Sequence, residues 1–250
     1  MKLVLVSLFS MAIAIADAQV LNIERERIKT DTTGWSGTGG LSVNLISNTQ
    51  RFTEIALGAH LQYKTNRSLT LALSDYEIIK SETDDFSNKG MQHFRYNYKI
   101  NKTLTWEALA QAQFNKVLNL KFRGLLGTGA RFKVLGHESF RVYTGIAYML
   151  EYEIPEGDGK KETSNRFSSY ISLTFKVGDG FSLINTTYFQ PKVTSFKDHR
   201  VANNTDLVFK ITKHLSYALA FEHLTDSRPL PGVPENIYSL KNKLLLDFGK

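Results

Sequence analysis

Two kinds of residue in this sequence could do chemistry. Serine, histidine and a carboxylate together make a nucleophile activated by a base, and Ser74, His60 and Glu54, or His93 with Glu107, supply those types. No local motif ties them into one arrangement, and the plainer fate of such histidines is a hydrogen bond to polar neighbours. The second kind is a long series of bases, Arg95, Lys99, Lys121, Arg123, Arg131, Lys133, Arg141 and Arg166, set against Glu107, Glu151 and Glu222. Lys176, Lys210, Lys241 and Lys243 extend the basic set, and Glu54, Glu153, Asp206 and Asp247 the acidic one. Bases outnumber acids. Around a water-filled bore such side chains favour anions; packed together, they pair and close it.

Their spacing names the elements that must carry them. In FRYNYKINKTLTWEA (94–108), Phe94, Tyr96, Tyr98 and Ile100 share one parity and Arg95, Asn97 and Lys99 the other. After Asn101-Lys102 the alternation restarts with Leu104, Trp106 and Ala108 against Thr105 and Glu107. A period of two is a β-strand with two unlike faces, and the short polar break is a hairpin turn. The pattern predicts twelve strands, near 35–46, 52–64, 68–80, 91–100, 103–116, 119–134, 140–153, 165–177, 181–190, 201–211, 214–225 and 237–248. The ninth, FSLINTTYFQP, has no clear parity, so its facing stays open.

The connections alternate too. Those after the even-numbered strands are short, such as Thr65-Asn66-Arg67 and Gly178-Asp179-Gly180. Those after strands 3, 7, 9 and 11 read as long polar loops: SETDDFSNKG, IPEGDGKKETSN, PKVTSFKDHR and DSRPLPGVPEN. An even strand count with short turns at one end and longer loops at the other is the pattern of a transmembrane β-barrel. A soluble barrel would have to put the charged face in a dry core, at several kcal/mol for each unpaired ion. In a membrane barrel the apolar face meets lipid and closure pairs every backbone group. Trp35, Tyr63, Trp106, Tyr152 and Tyr238 then fall at interfacial girdles. The fold class is therefore all-β, a closed antiparallel transmembrane barrel of about twelve strands, with short periplasmic turns and longer outer loops.

The chain start and composition agree. MKLVLVSLFSMAIAIADAQV has a basic Lys2, an apolar run from Leu3 to Ile15 and the small-x-small site Ala16-Asp17-Ala18. It reads as a secretory signal peptide over 1–18, followed by a periplasmic segment over 19–34 and the barrel over 35–250. Cysteine is absent, which excludes a disulfide framework and thiolate metal sites. No later segment approaches the roughly 18 apolar residues of a membrane helix. The net charge of +7 is spread singly along the strands and does not form a nucleic-acid patch.

Other motifs carry less. GTGG (37–40) and GLLGTG (124–129) are not phosphate loops, since no helical period follows them; glycine in a strand makes room for a bulky neighbour. TDDFSN (83–88) and EGDGKKE (156–162) lack calcium-loop spacing. Asp31 and the threonines of IKTDTTGW suit local turns.

ERERIKTDTTGWSGTGGLSV (24–43), LGAHLQYKTNRSLTLALSDYEIIK (57–80), HFRYNYKINKTLTWEALAQAQFNKVL (93–118) and LLGTGARFKV (125–134) resemble a family of uncharacterised outer-membrane proteins, domain of unknown function 481, some members of which are labelled salt-induced outer membrane protein. The resemblance implies an outer-membrane β-barrel and no established activity, substrate or catalytic residue. The residues and the resemblance together lead to these expectations: a Gram-negative-type outer membrane, lipid and the barrel-insertion machinery as partners, small solutes or ions in the lumen, and no cofactor. Three functions compete: a small, anion-leaning passive channel; a closed-lumen structural or stress-associated barrel; and a barrel-embedded lipid hydrolase.

Overall fold

The computed structural model describes residues 33–47, 51–81 and 85–249. The expected segments over 1–18 and 19–32 lie outside these residues. Twelve antiparallel strands close into one barrel: β1 (Gly34–Ser47), β2 (Arg51–Lys64), β3 (Ser68–Ser81), β4 (Asp85–Lys99), β5 (Leu104–Asn115), β6 (Leu120–Gly136), β7 (Phe140–Pro155), β8 (Glu162–Val177), β9 (Phe181–Lys192), β10 (Ser195–Lys210), β11 (Leu215–Asp226) and β12 (Asn236–Gly249). Each strand pairs with its sequence neighbours. β1 closes the wall against β12, from Ser36 opposite Gly249 to Leu41 opposite Leu244. Gly37 sits opposite Phe248 in this seam, where a Cβ would enter the phenylalanine ring.

The shortest strands have 12 residues. At ~3.3 Å per residue and a tilt of ~40° they cover about 30 Å along the barrel axis, more than the ~25 Å apolar band of such barrels. Along most strands burial alternates. In β7, Gly145, Met149, Glu151 and Glu153 are buried while Ile146, Tyr148, Leu150 and Tyr152 are exposed. The exposed set is apolar and the buried set is largely polar, the reverse of a water-soluble domain. Aromatic pairs mark both rims of the apolar band: Trp35–Tyr63, Tyr96–Trp106 and Phe181–Phe209 at the turn end, and Tyr76–Phe114 and Tyr148–Phe167 towards the loops.

The expected long loops are largely strand. β4 begins at Asp85, not near 91, and β7 and β8 leave only 156–161 between them. PKVTSFKDHR is a turn at 193–194 between β9 and β10. The reason is that alternation of apolar with polar stops where the wall leaves the apolar band. Above it both faces are polar, yet the backbone still gains by extending the ladder. The remaining longer connection, 227–235, follows β11.

β9 is also settled. Ile184, Thr186 and Tyr188 are buried inside, so Asn185 and Thr187 face outwards. Its parity is obscured because those outer polar groups bond to β10 neighbours. Asn185 Nδ2 donates to Thr205 Oγ1 at 2.8 Å, and Asn203 Nδ2 to Thr187 Oγ1 at 2.7 Å.

Candidate functional site

The lumen is the candidate site, and its polar side chains fall into four groups. The largest lies towards the loops and centres on Arg200 of β10. Its Nε donates to Asp226 Oδ2 at 2.8 Å, Nη1 to Glu151 Oε2 at 2.7 Å and Nη2 to Glu153 Oε2 at 3.1 Å. Arg166 donates from Nε to Glu151 Oε1 at 3.0 Å and from Nη2 to Asp198 Oδ1 at 2.9 Å. Arg123 reaches Glu153 Oε2 at 3.0 Å. Lys192 pairs with Glu162 and approaches Asp198 at 3.7 Å. Arginine suits this place because its planar fork serves several carboxylates at once.

Packed with this network is an apolar cluster, Leu118, Leu120, Tyr170, Tyr188, Ala202, Leu224 and Ile237. Leu230 and Val233 of the 227–235 loop pack against it. A 3₁₀ turn, Lys116–Leu118, is capped by Asn115 Oδ1, which accepts from the Val117 and Leu118 amides. Asn119 follows at φ 49°, and its Nδ2 donates to the Pro231 carbonyl at 2.8 Å. Two connections thus meet over the lumen. The sequence signal for the second of them is the pair of apolar residues, Leu230 and Val233, in a proline-rich loop.

A second ionic group lies on the opposite wall. Lys89 Nζ is 2.6 Å from Glu77 Oε1, Lys241 Nζ 3.0 Å from Glu77 Oε2, and Lys243 Nζ 3.7 Å from Glu222 Oε1. They border a cavity of about 110 Å³ that His60 and Asp206 also line. A third group sits between: Arg95 Nη1 bridges Glu107 Oε2 at 3.2 Å, and Tyr170 Oη donates to the same oxygen at 3.3 Å. His93 Nδ1 lies 2.9 Å from Gln111 Oε1.

The fourth group is at the turn end. A cavity of about 170 Å³ is bordered by Lys64, Arg67, Lys99, Arg131 and Arg141, with Asn97, Thr105, Tyr143 and Thr174 between them. Among the described residues that line it none is acidic. The Arg131 guanidinium carbon lies 3.5 Å from the centroid of the Tyr143 ring.

Of the residues expected in the lumen, Arg95, Glu107, Arg123, Glu151, Arg166 and Glu222 therefore sit in ionic groups. Lys99, Arg131 and Arg141 border the turn-end cavity. Lys133 pairs with Tyr143 at the rim of that end and is exposed. Lys121 is a correction. The register shifts between Leu120 and Phe122, so Lys121 is the extra residue of a bulge and is exposed; parity counted back from Arg123 fails across a bulge. Sequence reading missed Lys89, Glu77, Asp198, Arg200 and Asp226, because it placed most of them in loops or at strand ends.

The imagined Ser74–His60–Glu54 arrangement does not form. His60 is buried in the lumen, whereas Ser74 pairs with Ala59 on the outer face and accepts from Gln92 Nε2 at 2.6 Å. Glu107 and His93 each reach the Arg95 guanidinium. Among the described residues no group of three or more His, Asp or Glu side chains gathers as a metal site.

The family model described as "Protein of unknown function, DUF481" matches residues 30–248. The chain belongs to that family. No curated protein matches the sequence. Among solved structures, the COG4313 outer membrane channel from Pseudomonas putida F1 is similar with a TM-score of 0.54 at 11% identity, over 87% of this chain and 96% of the other. The translocator domain of the autotransporter NalP from Neisseria meningitidis is similar at 0.53 and 9% identity, over 90% and 92%. The NanC porin is similar at 0.50 and 11% identity, over 87% and 100%. At such identities the likeness is one of fold: this DUF481 chain has the closed barrel of outer-membrane proteins.

Proposed function

We propose that this DUF481 protein is a narrow outer-membrane channel for small polar solutes, with a preference for anions. In this reading the Arg200 group is its constriction, and the chain reaches the outer membrane through a cleaved signal peptide. The observation that carries the proposal is the polarity of the lumen. A barrel of this size could be filled with apolar side chains. Replacing buried ion pairs by well-packed apolar residues is often neutral or stabilising, so stability alone does not call for a core of arginines, lysines and glutamates. A path for water and ions does. The excess of bases at the turn end supplies the preference for anions.

A second reading, a sealed envelope barrel, is favoured by one observation. Arg200 is only 7% exposed and Glu151 only 4%, and Leu230 and Val233 of the 227–235 loop pack on the apolar cluster beside them. The test is a swelling assay on proteoliposomes. The channel reading expects faster swelling in an iso-osmotic small carboxylate than in a neutral sugar of equal size. Swelling no faster than in empty liposomes, for both solutes, would favour the sealed barrel.

A further inference from the structure

The geometry points to a lateral opening in the wall between β1 and β12, in the half towards the loops, that admits a single-chain amphiphile with an anionic head from the membrane. The inference does not rest on conduction through the lumen.

The two strands pair from Ser36–Gly249 to Leu41–Leu244, and there their ladder stops. β1 runs on to Ser47 against β2, and β12 runs from Asn236 to Leu246 against β11. Among the described residues, Ser42–Ser47 and Asn236–Lys243 therefore keep their far-side neighbours and form no ladder with each other. A continued register would set Ser42 opposite Lys243 and Val43 opposite Asn242. Instead Ser42 Oγ donates to the Asn242 carbonyl at 3.2 Å, a side chain in the place of a backbone donor. The Tyr217 hydroxyl donates to Asn242 Oδ1 and holds that side chain on β11.

This stretch begins at membrane depth, since Val43, Ile55, Phe221 and Leu240 present exposed apolar side chains around it. Backbone groups without ladder partners are costly there unless they border water or a polar ligand. A place of that kind lies directly behind them. Ser42, Lys241 and Lys243 of the two seam strands border the cavity of about 110 Å³. Leu41, Leu57 and Phe221, exposed on the lipid face, border it too. Residues of both faces line one cavity, so the recess passes through the wall at the seam. Gly40 lies opposite Gly58 and both line it, so no side chain fills the wall at that level.

The occupant follows from the lining. Ser42–Ser47 and Asn236–Lys243 carry two charged residues between them, Lys241 and Lys243. Both approach Glu222, at 4.0 and 3.7 Å. An ammonium has three donors and serves a second carboxylate as well. The leucines and Phe221 suit an acyl chain. A recess of this volume takes a carboxylate head and the start of one chain, not the headgroup of a two-chain phospholipid.

The experiment is hydrogen exchange, read by mass spectrometry, on the full-length barrel in lipid nanodiscs with oleate as the probe. Segments 42–47 and 236–243 are expected to exchange about tenfold faster than 51–56 and 219–225, which pair beside them at the same height. Oleate should slow the seam segments and leave the flanking ones unchanged, and Lys243→Gln should raise the oleate concentration needed about tenfold. The chain has no cysteine, so a disulfide between Val43→Cys and Asn242→Cys locks the seam cleanly. In the locked protein seam exchange should fall to the flanking level and oleate should have no effect. Equal exchange in seam and flanking segments of the wild type would overturn the opening. So would fast seam exchange that saturating oleate leaves unchanged, or that the neutral amphiphile dodecyl maltoside slows equally. A protein silent in bilayers with oleate-sensitive exchange at the seam keeps the opening and removes the channel; one that conducts with a uniformly protected seam does the reverse.

Discussion

Arg200 Nη1 donates to Glu151 Oε2 at 2.7 Å across the inside of the barrel, from β10 to β7, with two strands between them. Adjacent-strand pairing cannot make this contact. Two long side chains meet in the lumen, and the same guanidinium also holds Glu153 and Asp226. The pair joins distant parts of the wall beside the apolar cluster that fills the loop-ward lumen.

Removing the centre of that network leaves carboxylates buried without their principal cation. Arg200→Ala is expected to destabilise the barrel by about 3–5 kcal/mol, the cost of breaking a buried pair from one side. Urea unfolding of the protein in lipid vesicles measures it. A change under about 1 kcal/mol, as for an exposed ion pair, would mean that water already fills this level.

Gly145 backs the Tyr170 ring so closely that a Cβ there would enter it. Gly145→Val should cost about 1–3 kcal/mol by overpacking. Tyr170→Phe, which removes the donor to Glu107, should cost about 1 kcal/mol. The same unfolding assay measures both.

The outer face can be tested by charge. Leu126 is 60% exposed midway along β6, where lipid is expected. Leu126→Arg should cost about 2–4 kcal/mol in vesicles, the penalty at the bilayer midplane. Thr105→Gln, which keeps a neutral polar side chain at the turn-end cavity, should leave stability nearly unchanged.

Asn119 holds the loop cap in two ways, by its left-handed backbone and by its bond to Pro231. Asn119→Ala loses the bond and strains the backbone by about 1–2 kcal/mol. The expected outcome is faster cleavage of the 227–235 loop by proteinase K, with the strands still protected. Unchanged cleavage would show that Leu230 and Val233 hold the loop unaided.

Much of this architecture is legible in the sequence because a period of two is imposed by the backbone itself. Residues 94–108 alternate so strictly that turn, facing and the Arg95–Glu107 level follow from parity. What parity could not supply has physical causes. Lys121 is misplaced because a bulge adds a residue without a compositional sign. β9 resists because Asn185 and Thr187 satisfy one another's neighbours on the outside. Arg200 and Asp198 look like loop because the wall above the apolar band is polar on both faces. Contacts across the lumen, such as Arg200 with Glu151, depend on barrel closure and the lengths of side chains, which alternation does not encode.

In a conducting barrel ions pass this lumen and the Arg200 group limits them. Single-channel recording in planar bilayers tests it most directly, on wild type and Arg200→Ala, each shown to be folded by the mobility difference between unboiled and boiled samples. Small discrete steps are expected for wild type, with a reversal potential displaced towards anions in a salt gradient, and larger steps for the variant. Well-folded protein that stays silent in both forms would contradict it and leave a sealed barrel.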